Sequence, residues 1–568
     1  MSSPFASKLG TNYCPQDEEL VEIKNLMIEP VLRVKGLDEE IAALQEKIVT
    51  LSEERDTLVA YVDAHRALAS PLRRLPLDII QEIFMACLPT HRNCVMSAQE
   101  APILLGRICS SWRTISRSSA RLWSSLHIVE PTRPYSSPHN SRPTVFELKV
   151  AQRLKVAKAW LERSGQCPLS ISLESNLDHG MTPPLSPSPA PPNTDLFVAA
   201  LLPFVRRWQS IRLVVPPLSL ETLSHLTEDD VPMLKHLKIV QRPERPHNNT
   251  QWNLASVLRA PNLSRFSISG SNMAPSDLPL RWNQLIALSI MGPAWGMGNA
   301  QTSELALSIL SRCPELRTCK MLVHDTPEGH MGHIPAPLSD AIVECHFLNT
   351  LDIMCVGAPL YTSGRLLGRL STPNLRDFRL RGQGEPHTTF TADTVVSALA
   401  ASTRLESISI DSDTFSKATL LAFLRGLPPT VRNLRITDLF HSWHSPYTDG
   451  VLDDDVLAAF SPSPNLDSPI PLCPALQELT ITHCHNITDE AIFRFVSSRV
   501  PALKRVEIRF DRDRQVNILP RLKPFVDAGL LAVLSYVPPP LMQFSPWQGL
   551  PDAPPGSMPW MTPVNFLT

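Results

Sequence analysis

No stretch of this sequence carries the roughly 18–20 consecutive apolar residues that a membrane helix requires, so a helical membrane span is not expected. Neither sign of charge is in excess. The 53 Lys and Arg stand against 55 Asp and Glu, a net charge of −2. That balance leaves no electrostatic footprint for nucleic acid or an anionic membrane, and neither is expected as a partner. The opening MSSPFASKLGTNYCPQDEEL has no apolar core of the kind a secretory leader needs. The 11 Cys are odd in number and scattered, several in apolar contexts (Cys87, Cys109, Cys319, Cys355). No disulfide framework is indicated, and reduced thiols in a cytoplasmic or nuclear protein are the expectation. Phosphate-binding glycine loops, G-x-S-x-G and H-E-x-x-H are all missing, so no catalytic residue, cofactor or metal is expected.

What is present is length, apolar content and proline. At 568 residues with 43% apolar, the chain has material for about two to four domains with real cores. The 55 Pro cluster, above all in PTRPYSSPHNSRP (131–143), MTPPLSPSPAPP (181–192) and the tail. These segments read as connectors, and Thr182, Ser186 and Ser188, each before a Pro, as possible phosphorylation sites.

Residues 1–30 are expected to be mobile, followed by a coiled-coil-type helix over 31–69. Its apolar positions are Val34, Leu37, Ile41, Leu44, Ile48, Leu51, Leu58 and Val62, a heptad seam broken at Arg55. The flanking charges pair poorly, so the seam permits self-association through 34–65 or packing within the chain without choosing between them. Pro71 should end the helix.

Residues 70–128 read as a small helical unit. In LRRLPLDIIQEIFMACLP, Pro76 and Asp78 suit a first helical turn, and Ile79, Ile80, Ile83, Phe84, Cys87 and Leu88 share a stripe. A second helix is expected near Ile103–Ser116, carrying Leu104, Leu105, Ile108, Trp112 and Ile115 on one side. A short third one should carry Ala120, Leu122, Trp123 and Leu126.

Residues 129–204 read as linkers with one helix (Val150–Arg163) and one strand (CPLSISLES). From 205 to 536 a pattern repeats, apolar-x-x-apolar-x-apolar. Its eleven copies begin at 208, 234, 263, 285, 316, 348, 375, 405, 431, 476 and 503. Helical patterns lie between copies, and Pro-Asn or Pro-x precedes several. A strand and a helix recurring this way bury their apolar faces only by stacking, which makes an α/β solenoid. Residues 537–568 read as a Pro-rich tail that covers the last repeat, with a separate docking peptide as the alternative.

The repeats resemble leucine-rich repeats, most closely in LQELTITHCHNITDEAI. The order LPLDIIQEIF, ICSSWRTIS, ARLWSSLHI resembles the F-box. The whole layout is similar to F-box proteins with C-terminal leucine-rich repeats, of the kind abundant in basidiomycete fungi. The resemblance implies a non-enzymatic substrate receptor of an SCF-type ubiquitin ligase. Its F-box would bind a Skp-type adaptor, and through it a cullin, by Leu75, Pro76, Ile79, Ile83, Phe84, Leu88, Trp112, Leu122 and Trp123. The stretch PTHRNCVMSAQEAP is longer than the turn usual in the family, a departure expected to loosen the joint between helices.

The residues beside the apolar strand positions should line the concave face: His236, Lys238, Arg265, Lys320, Asp352, Asp377, Arg379, Arg381, Asp411, Arg435, Glu478, Arg505, Glu507 and Arg509. Eight basic against five acidic suits a protein substrate that is acidic or phosphorylated. Arg379, Arg381, Arg435, Lys320 and Arg505 are the candidate contacts, and ordinary solvated strand surface is the plainer reading. Two rivals are a coiled-coil and leucine-rich-repeat scaffold without a ubiquitin role, and a metal hydrolase built on His441, His444 and Asp453–Asp455. The triplet His483, Cys484, His485 should point to alternate faces and so hold no zinc.

Overall fold

The computed structural model describes residues 3–69, 71–131, 143–175, 193–241, 255–271, 274–292, 301–325, 341–383, 392–438, 451–462 and 471–537. The proline-rich linker motifs, the three Ser/Thr-Pro positions, His441, His444 and the tail beyond Val537 lie outside these. The chain divides into two units, Met1–Ala86 and Cys87–Thr568.

The first unit is dominated by α1 (Asp17–Leu68), a helix of 52 residues. It starts well inside the segment expected to be mobile. Glu19 accepts a hydrogen bond from the Gln16 backbone at 3.1 Å, and Asp17, Glu18 and Glu19 complement the positive helix start. Lys8 pairs with Glu19 at 3.0 Å. The helix runs through Pro30 and ends before Pro71. The seam residues Leu37 to Val62 stand 40–62% exposed. After a 3-10 turn (Pro71–Arg74), α2 (Leu77–Ala86) follows, its first turn closed by Ile80 N–H donating to the Pro76 carbonyl at 3.1 Å.

The second unit departs from the expected three-helix arrangement. The helix foreseen over 103–116 is broken into α3 (Leu105–Ile108) and α4 (Ser110–Ser118). Cys109 is extended between them, and its sulfur accepts from the Trp112 N–H at 3.4 Å, capping α4. The single stripe is thereby split: Leu105 is buried, while Leu104 and Ile108 are exposed. The third foreseen helix is a 3-10 turn (Ala120–Trp123) leading directly into a strand.

That strand, β1 (Ser125–Val129), opens a 14-stranded parallel sheet. Its next members are β2 (Leu169–Glu174), β3 (Trp208–Val215), β4 (His236–Gln241), β5 (Arg265–Ser269), β6 (Ala287–Met291) and β7 (Thr318–Val323). It continues past a separate two-residue pair, β8 (Val343–Glu344) with β10 (Leu370–Ser371), through β9 (Thr350–Val356), β11 (Asp377–Gln383), β12 (Ser407–Asp411) and β13 (Asn433–Thr437). It closes with β14 (Glu478–Cys484), β15 (Arg505–Phe510) and β16 (Leu531–Ser535). All eleven repeat copies supply a strand. The sheet starts near 125 rather than 205, because the closing part of the F-box-like match and the linker strand are its first two members.

The helices between strands are α5 (Pro143–Arg163), α6 (Thr194–Leu201), α7 (Ala255–Leu258), α8 (Ser303–Ser311), α9 (Pro359–Leu367), α10 (Asp393–Ala400), α11 (Lys417–Gly426), α12 (Asp454–Ala458), α13 (Asp489–Arg499) and α14 (Leu519–Asp527). The repeat is locked twice over. At the strand entries, backbone donors pass from repeat to repeat: Ile286 N–H to Ser264, Arg317 to Ile286, Asn349 to Arg317, Arg376 to Asn349. The asparagines of two Pro-Asn dipeptides reach back one repeat, Asn262 to the Pro232 carbonyl and Asn374 to His346, each at 2.7 Å. Alternate strand residues are buried, such as Leu351, Ile353 and Cys355, and helix residues such as Leu366, Phe423 and Phe495 are buried with them. This is an α/β, leucine-rich-repeat-like solenoid. Gly270 is required where it stands: its φ is +77°, and a Cβ there would lie 2.2 Å from the Gln241 carbonyl oxygen.

The 89–102 insertion is docked along the sheet. Val95 bridges His127 in parallel, and the His127 N–H donates to the Cys94 carbonyl at 2.7 Å. Asn93 accepts from Ser125 and Ser170 and donates to Ser172. Arg92 pairs with Glu100. The insertion therefore covers the outer edge of β1, the place where an unpaired strand would otherwise expose its backbone.

Candidate interaction surface

Strand alternation turns one face of the sheet into the core and leaves the other open. The register aligns the open-face residues in rows. One row reads His127, Ser172, Arg212, Lys238, Ser267, Ser289, Lys320, Asp352, Arg379, Ser409, Arg435, Thr480, Glu507. The row before it holds His236, Arg265, Asp377, Glu478 and Arg505. The row after it holds Glu174, Arg381, Asp411 and Arg509. The concave-face residues foreseen from the repeat pattern are thus brought together on one surface.

Their charges are not equivalent. Asp352 binds Arg381 through two oxygens, both at 2.8 Å to one guanidinium nitrogen, and lies 3.8 Å from the Lys320 ammonium. Arg379 pairs with Asp377 at 2.8 Å. Glu507 is clamped between Arg505 at 2.8 Å and Arg509 at 2.9 Å, and those hydrogen bonds hold its carboxyl below the usual range. Four of the five candidate substrate contacts, Arg379, Arg381, Lys320 and Arg505, are therefore ion-paired within the sheet, Asp352 and Glu507 each serving two cations. Arg435 is exposed. Lys320 and Asp352 are direct register partners, Arg381 and Asp352 diagonal ones, and the others lie two residues apart on one strand; cross-strand pairs need a register that a linear sequence does not state.

Beyond β11 the open face turns acidic below its surface. Burial pushes Asp411 up to about 6, and burial with the Asp411 charge pushes Asp413 up to about 7. Ser412 donates to Asp438 beside them. His483 and His485 share one side and Cys484 the other, as alternation of neighbours requires, but the strand register shifts before Cys484. His483 has a left-handed backbone (φ +60°), and both imidazoles reach Asp511, at 2.9 and 3.6 Å, while Cys484 is buried. No group of three metal-ligating side chains forms among the described residues. Asp453 caps α12 through the Val456 N–H and pairs with Lys417, Asp455 pairs with Lys417, and Asp454 accepts from the Thr488 backbone and hydroxyl.

The nine candidate adaptor residues are scattered in exposure. Pro76, Ile79 and Ile83 are exposed, and Leu75, Leu88 and Trp112 half-buried. Phe84, Leu122 and Trp123 are buried. Trp123 meets Trp160 of α5 edge-on at 4.7 Å and donates its indole N–H to the Ser116 carbonyl at 2.8 Å. Leu122 and Trp123 are thus core residues of the first repeat, with no surface left for an adaptor.

No family model matches this sequence, and no curated protein matches it. Among solved structures, a similar one is entitled "Crystal structure of TLR13-ssRNA13 complex", at 13% identity and a TM-score of 0.32. The match covers 70% of this chain and 53% of that one, so the chain spans about half the length of that neighbour. The solenoid assignment rests on the sheet's own register. Among the described residues, no helix is long and apolar enough to cross a membrane.

Proposed function

We propose that this chain is a protein-docking subunit whose open sheet face holds a partner protein. The observation that carries this is the open face itself: fourteen parallel strands present Ser, Thr and charged side chains on one side, with apolar residues such as Val240, Met291 and Met354 in the last row, and bury the other. The finer reading is a substrate receptor of an SCF-type ubiquitin ligase, in which the chain does no chemistry and supplies proximity alone. The ordered resemblance of three segments to the F-box supports it, together with exposed Ile79 and Ile83 one turn apart on α2. Burying those two side chains against a Skp-type adaptor would contribute about 1–2 kcal/mol each. The adaptor contact then narrows to Pro76, Ile79 and Ile83 with their neighbours. Co-purification of the full chain with a Skp-type adaptor tests it, with Ile79→Asp/Ile83→Asp as the comparison. Retention by the parent and loss in the double variant supports the ligase reading; no retention by a folded parent removes it.

A second reading has its own support. The α1 seam is exposed along its length, as expected of a helix that pairs with a second copy in a scaffold. Molar mass by light scattering, with Leu44→Asp/Ile48→Asp alongside, distinguishes a dimer through α1 from a monomer.

A further inference from the structure

The cations of the open face fall into two populations. From β7 onward most are paired with carboxylates of the same sheet. On β3, β4 and β5, Arg212, Lys238 and Arg265 are exposed and, among the described residues, in no ion pair. Arg212 and Lys238 are direct register partners on adjacent strands, and Arg265 is the partner of His236 on the next. Across β1 to β6 the described open-face positions hold one carboxylate, Glu174 at the end of β2, which is itself engaged. The cations act on one another. The Lys238 ammonium is held down by burial and by Arg212 and Lys320, and the His236 imidazole by burial and by Arg265 and Lys235. Around them on the same face lie Ser210, Ser267 and Ser269, with Val214 and Val240 beyond Arg212 and Lys238 on their own strands.

We propose that Arg212, Lys238 and Arg265 form the anchoring site for an extended acidic segment of the partner protein, bearing carboxylates or phosphoryl groups. This rests on the open face being the docking surface, and it moves the specificity from the Arg379–Arg381 region to the first third of the sheet.

Geometry fits such a segment. Strands lie about 4.8 Å apart, so three of them span about 10 Å, the length of three or four extended residues. Each guanidinium can take an anion through two parallel hydrogen bonds, and the lysine supplies a point charge. A nucleic acid strand would also meet cations here. These strands, however, offer no Phe, Tyr or Trp on the open face for bases to stack on, so a polypeptide is favoured.

The test is fluorescence anisotropy on the full chain. The probes are a labelled peptide of alternating Asp and Ser, its Asn counterpart, and oligothymidylate. The Asp peptide should bind and the Asn peptide should not, with affinity falling as salt rises. Arg212→Ser/Lys238→Ser/Arg265→Ser should weaken binding by at least about tenfold, and Arg379→Ser/Arg509→Ser by no more than about twofold. All five positions are exposed, and circular dichroism checks that the variants fold. Equal losses in both sets, tighter binding of oligothymidylate, or no binding of the Asp peptide each overturns the proposal. The parent reading fails separately. A photo-reactive residue at Ser409 that captures a partner, with Ser407→Arg on the same strand abolishing capture and the three-site variant leaving it intact, keeps the docking face and removes the anchor.

Discussion

Arg499 is the side chain whose loss should be felt most sharply. It lies at the end of α13, buried, with a guanidinium that burial alone would discourage. Four carbonyl oxygens repay that: Phe460 at 2.7 Å, Cys473 at 3.0 Å, Pro474 at 3.2 Å and Leu472. Cys473 has a left-handed backbone (φ +47°), unusual for a residue with a side chain, so the arginine also holds a strained turn in place. In Arg499→Leu the Pro474 carbonyl returns to water and the Cys473 carbonyl keeps the Leu476 N–H, but the carbonyls of buried Phe460 and Leu472 lose their donor. Each costs about 1–3 kcal/mol, part of it offset by removal of the buried charge, for a net of about 2–4 kcal/mol. Repeats contact only their neighbours, so the loss should appear locally, between α12 and α13. Hydrogen exchange of peptides covering 453–499 should accelerate roughly thirtyfold to a thousandfold, with β3 to β6 little changed. Acceleration below about tenfold would refute the hydrogen-bond reasoning. Arg499→Lys retains the charge without the fork and should fall between the two.

Glu130 is buried and accepts from the Asn193 N–H, the Ser175 hydroxyl and the Thr194 hydroxyl, joining three segments at the first repeats; Glu130→Ala should cost about 2–3 kcal/mol in urea unfolding. Asp352→Ala removes a buried carboxylate from Arg381, but that arginine is about a third exposed and can re-solvate, so about 1–2 kcal/mol is expected from the same titration. Asp413 and Asp411 have carboxyls raised in the fold, so the folded state holds protons the unfolded state has already lost. Stability should therefore decline from about pH 4 to pH 7, and Asp413→Asn should raise the melting temperature at pH 8 more than at pH 5. A larger gain at pH 5 would contradict that sign.

The repeat was legible because a period-two strand leaves its apolar residues at fixed offsets, and Leu351, Ile353 and Leu380 could hardly sit elsewhere. The start of the sheet was not. SLHIV lies within a stretch whose Leu122 and Trp123 also suit a helical module, and local pattern does not say whether a tryptophan meets a partner or Trp160. The open face was legible as a set of positions. Which of its cations are free was not, because Asp352 meets Arg381 only through a register that folding establishes. Alternation already puts His483 and His485 on one side; what escaped was their shared partner Asp511, which comes from the end of the neighbouring strand.

The two ends of the sheet are finished differently, and this gives the solenoid a direction. At β1, Asn93 to Val95 lie along the outer edge, so the first strand is zipped on both sides. At β16, no described residue pairs with the outer edge, and Leu531 and Val533 stand exposed on its face. In a stack whose cohesion passes only between neighbours, melting starts where the last bond is easiest to open. This one should therefore keep its β1 end closed, because Asn93 to Val95 hold that strand from outside.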